Sequence, residues 1–161
     1  MKGNSVIVTA DPMGRFEGCI VSGTPKPGTC MEIVPATNPI SGRFTYRVWS
    51  ANTGAAGPTV VLMEDNQQGF TINDAYVSGR HGRLYWPLPG DELNLWFRQS
   101  VGTGTANQDD IGDRVSIEKN TGLLMAFAAA TLKPFYVMEK VATETLGTDA
   151  PHWVKFLGSY A

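Results

Sequence analysis

Twice in this sequence a Gly-Asp pair opens a stretch in which apolar and polar residues alternate. Pro89-Gly90-Asp91 leads into Glu92-Leu93-Asn94-Leu95-Trp96-Phe97. Gly112-Asp113 leads into Arg114-Val115-Ser116-Ile117-Glu118, which turns at Asn120-Thr121-Gly122. A turn followed by period-two alternation describes a strand with one face in a core and one in water. Leu93, Leu95 and Phe97 share the core face of the first stretch. Trp96 falls on the other face, with Glu92, Asn94 and Arg98.

The same grammar runs along the chain. Strands are expected over 5–10, 17–22, 29–34, 43–50, 59–64, 75–78, 84–87, 92–98, 114–118, 123–127, 135–143 and 153–157. Pro, Gly, Asn and Asp stand between most of them, as in Pro25-Lys26-Pro27-Gly28. The 18 Gly and 10 Pro among 161 residues are spread over many short clusters, which suits a turn-rich β fold. The segment 101–110 reads as a loop, and the alanine-rich 126–132 is too short to stand as a helix. So many short strands in one domain would leave vulnerable edges unless the sheet closed. The expected fold is therefore all-β, a single jelly-roll-like sandwich or closed β-barrel over 15–161. Residues 1–14 form a short N-terminal arm or edge strand.

Charge excludes some partners. The formal net charge is −2 and Lys or Arg never run together, so no nucleic-acid partner is expected. Charged residues make up 17%, below the roughly 25% usual for soluble proteins, which hints at a surface covered by a partner. No stretch approaches the ~20 apolar residues that span a bilayer, so no membrane partner is expected. The apolar run Val6-Ile7-Val8 is too short for a secretory signal and is cut by Asp11-Pro12. Cys19 and Cys30 lie in neighbouring strand segments. They read as two buried thiols, with a disulfide open if they face each other.

No catalytic, metal or cofactor-binding residue stands out, and the chain is not expected to be an enzyme. His81 lies in a Gly-Arg-His-Gly turn and His152 opens the last strand. Neither has a His or Glu at ligand spacing. Glu64-Asp65 and Asp109-Asp110 sit at turns, where acids usually cap or stay solvated. The tryptophans say more. Trp86 shares a face with Leu84 and Leu88 and reads as core. Trp49, Trp96 and Trp153 fall on otherwise polar faces. Either each is covered within the subunit or some meet a neighbour, as interface tryptophans do. These three are the candidate subunit or capsid contacts, and Trp96 is expected to face a neighbour.

The Gly-Asp strands carry a resemblance. Gly112-Asp113-Arg114-Val115-Ser116-Ile117 with Asn120-Thr121-Gly122-Leu123-Leu124 resembles the late segment of tailed-bacteriophage head decoration, or cement, proteins. So do Ala142-Thr143-Glu144, Asp149-Ala150-Pro151 and the closing Trp153-Val154-Lys155-Phe156-Leu157. Pro89-Gly90-Asp91-Glu92-Leu93-Asn94-Leu95 and Pro27-Gly28-Thr29-Cys30-Met31-Glu32-Ile33 fit the same pattern. The resemblance implies a β-rich virion structural protein, made in the host cytoplasm and carried on the outer capsid surface. Its partners would be the major capsid protein and, as a homotrimer, its own copies. Another phage head or tail structural protein is one alternative, and two further readings stay open. A carbohydrate-binding β-sandwich would need one of the three tryptophans open beside hydrogen-bonding side chains. A cupin-like barrel enzyme would need His81 and His152 to converge.

Overall fold

The computed structural model describes residues 5–9, 15–34, 40, 42–50, 59–65, 67–98, 114–125, 134–139 and 149–158. They form eleven strands and no helix: β1 Ile7–Thr9, β2 Arg15–Val21, β3 Cys30–Ile33, β4 Thr45–Val48, β5 Val60–Leu62, β6 His81–Trp86, β7 Glu92–Phe97, β8 Arg114–Ile117, β9 Leu124–Met125, β10 Phe135–Val137 and β11 Ala150–Phe156. The all-β expectation holds, and the strands close. They close twice, however, into two five-stranded barrels and not one.

The first barrel runs β2-β4-β3-β5-β6 and back to β2. Its joins are antiparallel except β2 with β4, which run parallel with Ile20 opposite Thr45. The second runs β7-β11-β10-β8-β9, and a parallel bridge between Phe97 and Leu124 returns it to β7. β1 lies against β7 beside that bridge, with Ile7 opposite Leu93. The part of the N-terminal arm that is described is thus a strand on the chain's own sheet, and Val6 beside it is fully buried. Residues 1–4 and 10–14, the loop 101–110 and the alanine run 126–132 lie outside the described residues.

Alternation explains how the barrels join. On β5, Val60 and Leu62 enter the first barrel's interior with Cys19, Val21, Met31, Tyr46 and Leu84. Val61 and Met63 point the other way, into a cluster with Leu93, Leu95, Phe97, Val115, Val154 and Phe156 of the second barrel. Neighbouring strands divide alike, with Cys30 and Tyr85 joining the second cluster while Met31 and Leu84 join the first. A run such as Val60-Val61-Leu62-Met63 is apolar throughout because both of its faces are dry. Each such side chain contributes roughly 1.5–3 kcal/mol on burial.

Two turns lock the junction. Gly28 has φ +84°, and a Cβ there would lie 3.0 Å from the Asn94 carbonyl oxygen. Its N–H donates to Leu62 O (2.7 Å) while its carbonyl accepts from Trp96 N (3.2 Å), so one residue ties β5 to β7. The β8–β9 turn does the same at the other side. Asn120 and Gly122 both take positive φ, as the sequence predicts for that hairpin. Gly122 O accepts from Cys30 N (2.9 Å) and Asn120 N donates to Trp49 O (2.8 Å).

Some boundaries differ from expectation. His81 begins β6 and is not in a turn, because the positive φ of Gly79 ends the preceding turn two residues earlier. Residues 75–78 form no strand. They deliver Tyr76, fully buried, whose hydroxyl donates to Met63 O (2.9 Å).

A Cβ at Gly122 would fall against the Cys30 carbonyl, whereas one at Gly79 (φ +85°) would meet nothing within 4 Å. Gly79→Ala should therefore cost about 1 kcal/mol, the backbone term alone, and Gly122→Ala more than ~2 kcal/mol. Urea unfolding of the two variants checks the ordering.

Candidate functional site

A cleft of about 570 Å³ is lined by residues of both barrels, among them Ser22, Thr24, Lys26, Trp96, Thr121 and Asp149. Lys26 holds its ammonium 4.5 Å from the centre of the Trp96 ring, a cation–π contact. The cleft lining mixes apolar side chains such as Val48 and Leu123 with hydroxyls, one cation and one carboxylate, and holds no His or Cys.

The candidate contact tryptophans divide. Trp96 is 6% exposed. Its indole N–H donates to Pro27 O (2.8 Å), so the Pro25–Gly28 turn covers the face that alternation marks as polar. Trp49 is 4% exposed and packs in the cluster between the barrels, because the β4 face it shares with Thr45 and Arg47 turns under the second barrel where the strand ends. The expectation that Trp96, or Trp49, meets a neighbouring subunit is corrected: each is covered within its own chain. Neither offers an open ring for a sugar to stack on. Trp153 is half-buried on β11, sharing a face with Pro151 and Lys155, and remains a surface candidate. Its backbone N–H donates to Glu139 Oε1 (3.0 Å), while its indole N–H finds no partner. Trp86, read as core, is half-buried; its indole donates to Glu17 Oε2 (3.1 Å).

The histidines do not converge. His81 is exposed on β6, where Arg43 Nη1 reaches its Nδ1 at 2.5 Å. His152 is buried in the second barrel, with Nδ1 3.2 Å from Glu139 Oε1 and its ring edge-on to Phe97. Among the described residues no three His, Cys, Asp or Glu gather as metal ligands.

The carboxylates serve architecture. Asp65 caps its turn, accepting from Gln67 N (3.1 Å) and Gln68 N (3.3 Å), as acids at turns do. Glu64 is buried, not solvated, and accepts from Val6 N, tethering the N-terminal segment. Asp91, of the first Gly-Asp pair, is buried with Oδ2 accepting from Tyr85 Oη (2.5 Å) and Leu88 N (2.7 Å). Asp109-Asp110 lies outside the described residues. Cys19 and Cys30 are free and buried, one in each cluster. Burial, helped by the nearby Glu17, pushes the Cys19 thiol up to about 12, and burial alone pushes Cys30 higher.

Sequence reading missed one grouping. Arg43 is distant in the chain from His81 and Arg83, which share the outer face of β6, yet the three meet around Gly18 on the outside of the first barrel. Only the strand pairing reveals it.

No protein-family model matches this sequence, and no curated protein matches it.

Two outcomes follow from these roles. Asp91→Ala should cost roughly 2–4 kcal/mol by removing the carboxylate that accepts from the buried Tyr85 hydroxyl and from Leu88 N–H, and Asp91→Asn distinctly less. Thermal melts of both variants test this. The thiols should resist a disulfide reagent at pH 8 in the native protein and react fully in denaturant, with the native rate following global unfolding. Fast labelling of either cysteine in the folded state would contradict the burial.

Proposed function

We propose that this chain is a virion structural protein that binds the outer surface of a mature capsid lattice, self-associating as a homotrimer, and cements the shell against internal DNA pressure. The sequence resemblance to head decoration proteins motivates the reading. One structural observation supports it most. Ile33, Ile40 and Phe44 are large, apolar and exposed, and the backbone that carries them lies at one end of the first barrel. Strand pairing brings them together: Ile33 lies opposite Tyr46, Val34 N donates to Thr45 O (2.9 Å), and Ile40 bridges to Arg43. Exposed apolar side chains of this kind suit a protein partner.

The residues of the resemblance have structural work in this fold. Asp91 pins Tyr85, Gly28 and Gly122 clamp the barrels, and Val154 and Phe156 fill the core. A cement protein needs only this: a rigid body and a contact face. A ligand that binds assembled shells and not free subunits stabilises the shell by linkage. A trimer that bridges several coat subunits multiplies modest contacts through avidity.

Purified protein mixed with undecorated shells should sediment with them, and Phe44→Asp should weaken this at least tenfold while melting at the wild-type temperature. Wild-type protein that stays in the supernatant at high concentration would overturn the reading for that capsid.

A further inference from the structure

A second surface on the first barrel has its own chemistry. On β2, alternation sends Cys19 and Val21 inward and leaves Phe16 and Gly18 outward. Gly18 has Arg83 of β6 as its cross-strand partner. On its other side β4 runs parallel, and the Arg43 guanidinium lies across the glycine: a Cβ at Gly18 would stand 2.9 Å from Arg43 Nε. Arg43 Nη1 donates to His81 Nδ1 at 2.5 Å. A guanidinium has no acceptor, so the imidazole nitrogen accepts and its ring N–H sits on Nε2. Arg83 holds its guanidinium carbon 5.2 Å from the ring centre of Phe16, which is 48% exposed.

Arg43, Arg83 and His81 are all exposed, and no carboxylate of the described residues pairs with either arginine. Some cations elsewhere have such partners, as where Arg47 meets Glu32 at 2.9 Å and Arg98 meets Glu118 at 2.6 Å. The missing side chain of Gly18 makes room for the Arg43 guanidinium against the sheet, beside Arg83 on the neighbouring strand.

We infer that Arg43, Arg83 and His81 around Gly18 form a docking site for an acidic segment of a partner protein, its carboxylates on the guanidiniums and an apolar side chain on Phe16. Guanidinium forks match carboxylates in two-bond geometry. Arginine beside an exposed aromatic is the composition of a protein interface centre. Nucleic acid fits less well: the basic spot is small, and a chain of net charge −2 repels a long polyanion beyond it. The inference goes beyond the capsid reading, since the site takes carboxylates whichever protein bears them.

The test is titration of the full, isotope-labelled chain at low salt with hexaglutamate, inorganic phosphate and a single-stranded oligonucleotide in separate arms. Hexaglutamate should shift the backbone signals of residues 16–20, 43–45 and 81–83 saturably. Arg83→Gln, which removes no hydrogen bond described in the fold, should weaken binding several-fold, and the Arg43→Gln/Arg83→Gln pair roughly tenfold. Should the double variant not fold, the single variant and the loss of wild-type binding at high salt decide the matter. Three results would each overturn the proposal: no saturable shift with hexaglutamate, phosphate binding the same residues equally tightly, or the oligonucleotide binding more tightly than the peptide.

Discussion

One edge of β7 holds the two barrels together. Along it, three N–H groups point the same way and each finds a carbonyl from a different part of the chain. Asn94 N donates to Val6 O (2.7 Å), Trp96 N to Gly28 O (3.2 Å) and Arg98 N to Leu124 O (2.9 Å). β7 is buried on both faces from Leu93 to Phe97, so a donor left over there would have no water to turn to. The N-terminal segment, the Pro25–Gly28 turn and β9 must therefore arrive together. Trp96 strengthens the dependence, because its indole N–H bonds to Pro27, the residue before its backbone partner. Withdrawing that single turn would orphan two donors and expose a tryptophan. The strand with the clearest alternation in the sequence is also the one whose surroundings are drawn from the whole chain.

This is why the sequence told so much about the core and misjudged the tryptophans. Period two identifies which residues share a face, and Leu93, Leu95 and Phe97 are buried as it predicts. It also assumes that the opposite face is wet. In β7 that face is covered by a turn some seventy residues earlier in the chain, and Trp49 is covered by a second barrel. Neither cover leaves a mark on the local pattern. The run from Val60 to Met63 did carry the hint: four apolar residues in a row need two dry faces, and two dry faces need a second layer. Hairpin chemistry was more legible because it is local. The backbone angles of Asn120 and Gly122 follow from the residues themselves, whereas their grip on β3 and Trp49 does not.

The candidate surfaces show the same boundary between local and non-local information. Glu64 reads as a turn acid and proves to be the buried anchor of Val6. Arg43 and Arg83 are scattered single cations in a sequence without a basic run, and they become neighbours only because β4 and β6 flank β2. Gly18 weakens β2 as a strand, and the structure supplies a reason for it in the guanidinium that occupies the space a side chain would fill.

Closure also constrains how such a molecule can recognise anything. An open sheet binds partners by lending its edge, and the backbone then supplies the affinity. Here each barrel pairs its strands around a ring, and the described strand that ends a row, β1, is only three residues long. Strand addition has little to grip. Recognition falls to side chains on the outer faces, and among the described residues the interior claims Asp91, Glu64, His152 and both thiols. What is left outside is a few apolar groups at one barrel end and arginines without acids. Such a surface suits recognition by shape and charge, and the strands that flank it belong to a closed ring that fixes their spacing.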